Sequence, residues 1–287
     1  GQFLYKMWHL VNCALVETPA NAISNGRITD NKVLSTTIKN VMQEKNIREK
    51  KAIIAISCHR TITRYITMPN MPVNELKEAI KWEAKNHIPV FSDNLLIDGK
   101  ILKQTEDNKL NIVLAGLDKN TSYDYLNMLQ DAGLDPIAID IYPAALKRLF
   151  SSSNVEEPYC IVDIGASLIK LIIINKGTIY ADNVVHFGNQ SLIEDKTNLG
   201  VIDEIRRFLQ YFSTQNRGEN VKSLILTGGG ALHKNVGNFM TGELNIPSIK
   251  ILDFHNFDVD FEAFDFENKK LHLFSNAIGL AMRGVVI

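Results

Sequence analysis

Cysteine is scarce in this chain: Cys13, Cys58 and Cys160 lie far apart along 287 residues, with no paired spacing. That argues against a disulfide framework and a zinc site, and leaves three small apolar side chains suited to burial in a reducing compartment. Charge of one sign is lacking too. The 31 basic and 32 acidic side chains leave a net charge of −1, so no long-range field gathers nucleic acid, and DNA or RNA binding is disfavoured. No apolar run approaches the roughly 20 residues that a membrane-spanning helix needs, and no signal peptide opens the chain. A cytoplasmic protein is expected. With 45% hydrophobic and 22% charged residues the composition is that of a soluble globular protein, and the length asks for two lobes or more.

The most informative stretch is Ile161-Val162-Asp163-Ile164-Gly165-Ala166-Ser167-Leu168-Ile169-Lys170, followed by Leu171 to Ile174. It reads as a strand ending in Asp-x-Gly, a tight turn, and a second β-prone strand running back. Such a turn can serve as a phosphate hairpin. Gly165 lets the backbone approach a ligand, and the small Ala166 and Ser167 leave turn amides to face phosphate oxygens. Asp163 would stand at the mouth, where a carboxylate holds hydrated magnesium through water. By itself the pattern is unspecific, because many Asp-x-Gly hairpins bind nothing.

A second element shifts that balance. Val221 to Leu226 is another strand, and it runs into Thr227-Gly228-Gly229-Gly230-Ala231-Leu232. Three glycines let backbone lie flat against a planar ligand such as a nucleoside, whereas a plain helix entry rarely needs them. Between hairpin and glycines lies a helix around Ile202 to Phe212, apolar at Ile202, Ile205, Leu209 and Phe212. Its other face shows Asp203, Arg206 and Arg207. Guanidinium groups stack on aromatic planes, so this face could cover an adenine; an ordinary solvated face is the competing reading.

Along the rest of the chain, Phe3 to Val16 is strand-like, and Pro19 and Asn25-Gly26 mark turns. Asp30 caps a helix that turns Val33, Leu34, Ile38, Val41 and Met42 inward. Strands at Lys51 to Ser57 and Thr61 to Thr67 follow, the second stopped by Met68-Pro69. A helix from Val73 to His87 buries Leu76, Ala79, Ile80 and Ala84. Trp82 points away from that stripe, either packing on a neighbouring subdomain or meeting a partner. Strands at about 95–102 and 110–116, a helix at about 121–132 and a strand at 137–141 complete a small α+β block inserted in a larger one. Ser151 to Pro158 is a polar boundary. Leu252 to Phe266 alternates phenylalanines with acids and reads as a loop pinned by its aromatics, or else an interaction patch. Ser275 caps a last helix, Asn276 to Met282.

Taken together, these residues resemble the PilM family, actin-like proteins of the type IV pilus inner-membrane assembly complex. The resemblance is carried by Ile28-Thr29-Asp30, Ile66-Thr67-Met68-Pro69, Lys81-Trp82-Glu83-Ala84 with Ile88-Pro89, Asp140-Ile141-Tyr142-Pro143, Val162-Asp163-Ile164-Gly165, Glu204 to Leu209, Leu226 to Gly230 and Ala277 to Arg283. It implies an α/β chain with the two-lobed actin-like (ribonuclease H-like) ATPase fold and an inserted α+β subdomain placed as in the division protein FtsA. On that scheme residues 1–50 and 138–150 form the first lobe, 51–137 the insertion and 158–287 the second lobe. It also implies ATP or ADP with Mg2+ in the interlobe cleft. Asp163, Gly165, Ala166 and Ser167 would bind phosphates, Asp163 the metal, Gly228, Gly229, Gly230 and Ala231 the adenosine, and Asp203, Arg206 and Arg207 would flank the base.

The implied partner is PilN, whose cytoplasmic N-terminal peptide docks in a groove beside the inserted subdomain; Trp82, Tyr65 and Ile66 are the candidate contacts, aromatic anchors being favoured in such grooves. Membrane attachment would then come through partners only, alongside other pilus inner-membrane and motor proteins, with self-association a further expectation and twitching motility the process served. The family pattern opens with a first phosphate hairpin, and none precedes Phe3, so hydrolysis is expected to be weak or absent. Two alternatives share the fold. A small-molecule kinase or active ATPase needs a catalytic Asp that no surroundings single out here, and a filament-forming division protein like FtsA usually ends in an amphipathic membrane helix, for which Arg283 to Ile287 is too short.

Overall fold

The computed structural model describes residues 8–56, 61–88, 93–152, 154–166, 168–186, 199–250, 259–260 and 271–285. The chain forms two compact units: Val11–Tyr142, and Pro143–Ile287 together with Gly1–Leu10.

Of the strand expected over Phe3 to Val16, residues 3–7 lie outside the described residues, Trp8–His9 form β1, and residues 10–16 are not strand. Val11, Leu15 and Val16 are 84%, 61% and 49% exposed, so apolar content alone did not make a strand where backbone pairing stops. β2 (Ile23–Ser24) and β3 (Arg27–Ile28) form a hairpin whose turn holds Asn25 and Gly26 at positive φ. Asp30 then caps α1 (Asn31–Glu44) by accepting from the Val33 amide at 3.0 Å, the N-cap read from sequence. β4 (Lys51–Ala55) follows.

β5 (Ile62–Pro69), α2 (Val73–His87), β6 (Leu95–Gln104) and β7 (Lys109–Asp118) make a local antiparallel layer with β7 central. Its core is Ile66, Met68, Leu76, Ile80, Ala84, Ile88, Leu110, Ile112 and Leu114. α3 runs Lys119–Asp131, two residues earlier than the sequence suggested, because buried Asp118 caps it by accepting from the Thr121 amide at 2.9 Å. β8 (Asp135–Asp140) pairs in parallel with β4. A second core of Ala22, Leu34, Met128 and Leu129 joins α1 to α3, with Ala52 and Ile54 of β4 packed on it.

In the other unit α4 (Tyr142–Leu149), unforeseen in the sequence, buries Ala145, Leu146 and Leu149. Then come β9 (Tyr159–Ile164), β10 (Leu168–Asn175), β11 (Thr178–His186), α5 (Leu199–Gln215), β12 (Ser223–Thr227), a 3-10 turn at Gly229–Leu232, α6 (Val236–Leu244), β13 (Ser248–Lys250), β14 (Val259–Asp260) and α7 (Leu271–Ala281). The five-stranded order is β11-β10-β9-β12-β13, antiparallel across β11, β10 and β9 and parallel across β9, β12 and β13. One face of this sheet is covered by α5 and α6 through Ile202, Ile205, Phe208, Leu209, Phe212 and Met240. β1 and β14 pair in parallel.

Ser275 does not cap the last helix. α7 already starts at Leu271, and the Ser275 hydroxyl donates instead to the His272 carbonyl at 3.3 Å inside the helix, a back-bond that lets serine sit mid-helix. The aromatic-acidic stretch Leu252 to Phe266 lies outside the described residues apart from the short β14.

Candidate functional site

β9 and β12 lie side by side and point the same way, with Thr227 opposite Asp163. Their following turns therefore emerge together at the carboxyl ends of two parallel strands, the edge where open α/β sheets bind ligands. Asp163-Ile164-Gly165 and Gly228-Gly229-Gly230 are thus neighbours, as the sequence had expected of one site.

The hairpin turn is closed by the Gly165 amide, which donates to the Leu168 carbonyl at 2.9 Å. That amide is already engaged, which narrows the expected phosphate contacts to the rest of the turn. Gly165 and Ala166 are exposed, and Ser167 lies outside the described residues.

The glycine run has a reason the sequence did not reveal. Gly228 sits at φ +82°, and a Cβ there would overlap the Asp163 Oδ1 and stand 2.5 Å from the Ile164 carbonyl oxygen. One on Gly230 would stand 2.9 Å from the Ile164 Cβ and overlap its Cγ2. These two glycines let the turn press on the end of β9. Gly229 is exposed, with only the Leu273 Cδ2 near its missing Cβ, at 3.2 Å, and is the glycine that fits the expected role of meeting a ligand.

α7 fixes this turn from behind. The Gly228 amide donates to the His272 carbonyl at 3.0 Å, the Thr227 hydroxyl reaches the same carbonyl at 3.5 Å, and Thr227 and Ser275 share a hydroxyl hydrogen bond. Thr227, His272 and Ser275 are 0–2% exposed, so the network is shielded from competing water. Ala231 is buried in the core beneath the turn and holds it without facing outward.

Asp163 faces Lys170. The hairpin register places the two directly opposite each other, Nζ and Oδ2 are 3.7 Å apart, and each side chain is only 15% exposed. Burial pushes the Asp163 carboxyl up from its usual range, and Lys170 pulls it part of the way back. This does not suit the magnesium expected at Asp163. A hydrated magnesium needs only one carboxylate, but the carboxylate at this turn already has an ammonium against it. Lys170 was passed over in the sequence reading, although a turn centred between Ala166 and Ser167 sets 163 against 170 by counting alone.

On α5 the predicted stripe is buried, but the polar face divides. Arg206 pairs with Asp203 and donates to the Glu243 carbonyl at 3.0 Å, so it braces the C-terminal end of α6. Arg207 is exposed and is the residue of that face suited to stacking.

Nor do the three partner candidates share a surface. Ile66 is 9% exposed and belongs to the core beneath α2, so Tyr65, its neighbour on the strand, points to the opposite face of the sheet. Trp82 is 63% exposed and overhangs a groove of about 890 Å³ between α2 and β6, with Lys81, Lys85, Leu95, Leu96 and Lys119 around it. Of the cysteines, Cys160 is fully buried and its thiol is pushed up to about 12 by burial, while Cys13 is half-buried. Cys58 lies outside the described residues.

A family model described as type IV pilus assembly protein PilM matches residues 4–199. The chain belongs to this family. Its role accordingly lies in type IV pilus assembly. By structure it is similar to a solved PilM-PilN type IV pilus biogenesis complex, with a TM-score of 0.82 and 24% identity over 93% of this chain and 89% of that one. Looser likenesses are to the ethanolamine utilization protein EutJ of Carboxydothermus hydrogenoformans (TM-score 0.48, 12% identity, 92% and 78% covered) and to MreB5 of Spiroplasma citri bound to ADP (TM-score 0.45, 11% identity, 92% and 78% covered). The fold is the α/β actin-like ATPase fold. No helix among the described residues is long and apolar enough to cross a membrane.

Proposed function

We propose that this chain is a cytoplasmic scaffold of type IV pilus assembly that takes ATP or ADP at the turns after β9 and β12 and docks the N-terminal tail of PilN, which holds it at the inner face of the membrane. The observation that carries the nucleotide half is the juxtaposition of the Asp163-Ile164-Gly165 turn with the Gly228-Gly229-Gly230 turn at the ends of adjacent parallel strands. Backbone-rich turns at such an edge suit phosphates and a flat base, with Gly229 and Arg207 the surfaces offered to the base. Since Asp163 is engaged by Lys170, binding with weak or absent hydrolysis is the form this takes.

PilN docking is supported by membership of the family and by the similar chain that was solved in a PilM-PilN complex. Trp82 is the anchor we assign to it, because a large exposed aromatic over a groove is the usual core of a peptide contact.

Two calorimetric titrations test the two halves separately. ATP is titrated into the chain and into Asp163→Ala, and a peptide of the PilN tail into the chain and into Trp82→Ala. Binding weakened in each variant is expected. A chain that ignores the peptide loses the docking half, and one that ignores ATP loses the nucleotide half.

A further inference from the structure

β10 carries one charge in an apolar run. In Leu168-Ile169-Lys170-Leu171-Ile172-Ile173-Ile174 the lysine stands between Ile169 and Leu171, both fully buried. Lysine is seldom buried unless it is paired, and here the pairing is built into the hairpin: Lys170 stands opposite Asp163 in the register, its ammonium 3.7 Å from the carboxylate, both 15% exposed. From the far side Gly228 closes on the same carboxylate, leaving no room even for a Cβ. Asp163 is therefore hemmed in by a lysine from β10 and backbone from the glycine turn.

A divalent cation brought to this carboxylate would have to share it with an ammonium and would be repelled by it. A hydrated ion would need only this one carboxylate, with waters and phosphate oxygens completing its shell, so it is the ammonium at 3.7 Å, not a shortage of donors, that stands against it. A lysine supplies what a divalent ion would otherwise bring, a fixed positive charge beside the phosphate turn, and lysine is itself a good phosphate binder.

We propose that Lys170 takes the place of a divalent cation at Asp163, so that the turn after β9 receives its phosphate-bearing ligand without a metal. Asp163 then acts as a positioning residue that holds the ammonium at the turn. The choice of a nucleotide as ligand rests on the proposed function; the exclusion of the metal does not.

The test has two arms. In the first, ATP is titrated calorimetrically into the full chain in excess EDTA and again with Mg2+. The dissociation constants should agree within about twofold, Lys170→Met should weaken binding in EDTA about tenfold or more, and Lys170→Arg should retain it. A wild-type affinity that falls about tenfold when Mg2+ is removed overturns the inference, as does a Lys170→Met variant that binds like wild type in EDTA.

If ATP binds under neither condition, the nucleotide reading fails, and the second arm decides the metal claim by itself. Mn2+ alone is followed by electron paramagnetic resonance, with circular dichroism confirming that each variant is folded. The expected result is that wild type leaves Mn2+ in solution, that Lys170→Met retains it, and that the Lys170→Met/Asp163→Asn double variant releases it again. Mn2+ held by wild type and lost in Asp163→Asn overturns the inference, and so does Mn2+ left in solution by wild type and Lys170→Met alike.

Discussion

Gly228 lies so close to Asp163 that any side chain on the glycine would overlap the Asp163 carboxylate. The two turns of the candidate site are thus one packed object rather than two independent loops.

Gly228→Ala should accordingly be costly, because it meets fixed backbone and a carboxylate and takes a positive φ that alanine resists; about 2–4 kcal/mol is expected, with Gly230→Ala similar. Gly242, inside α6, has open space where a Cβ would go. Gly242→Ala should stabilise by about 0.5–1 kcal/mol. Urea unfolding of the three variants checks both signs, and equal effects at 228 and 242 would contradict the packing.

The Asp163 carboxyl is held above its usual value of 3.8 by burial, against the pull of Lys170. A raised folded-state value means the folded protein binds that proton more tightly than the unfolded chain does. The resulting stabilisation is fully present below pH 3.8 and is lost as pH rises through the folded value. Measured against Asp163→Asn, wild-type stability should fall across the window just above the ordinary carboxylate range, by at most about 1.4 kcal/mol per pH unit. Urea midpoints of the pair across that range decide it, and a difference that widens in the wild type's favour with rising pH would be the wrong sign.

Arg206 and Arg207 are adjacent in sequence but have different neighbours. Arg206→Ala removes the brace on the Glu243 carbonyl and should cost about 0.5–1.5 kcal/mol without changing nucleotide affinity. Arg207→Ala, at an exposed position, should leave stability within about 0.5 kcal/mol and weaken ATP binding severalfold. Thermal unfolding and calorimetry on the two variants separate the roles.

Trp82 and Ile66 part in the same way. Trp82→Ala should leave folding within about 0.5 kcal/mol and reduce affinity for the PilN tail about tenfold. Ile66→Ala, in the core under α2, should destabilise by about 2–5 kcal/mol. A tail peptide that binds Trp82→Ala as well as wild type would move the docking surface elsewhere.

Local signals were legible in the sequence wherever one residue acts on its near neighbours. Asp30 as a cap, the buried stripes of α2 and α5, and the β9–β10 hairpin follow from hydrogen bonds and periodicities that span a few residues. The hairpin even carried the Asp163–Lys170 pairing, which register alone specifies. Less legible were elements whose stability is supplied from far along the chain. α4 is held by residues it buries, with the Gly279 backbone of α7 against Ala145 and the Arg148 guanidinium on the Gly279 carbonyl. Residues 11–16, by contrast, had the composition of a strand but pair with no strand among the described residues.

What the sequence determined by itself was therefore the inventory: a soluble-type composition, the helices with clear stripes, a hairpin ending in Asp-x-Gly and a glycine turn after a buried strand. Only the tertiary structure decided what those pieces are for. It set Gly228 and Gly230 against β9, turned Arg206 toward α6, sank Ile66 under α2 and left Trp82 exposed. The physical reason is that periodicity tells which side of an element is buried, whereas the identity of the atoms it is buried against depends on strands and helices brought together over tens to more than a hundred residues of chain.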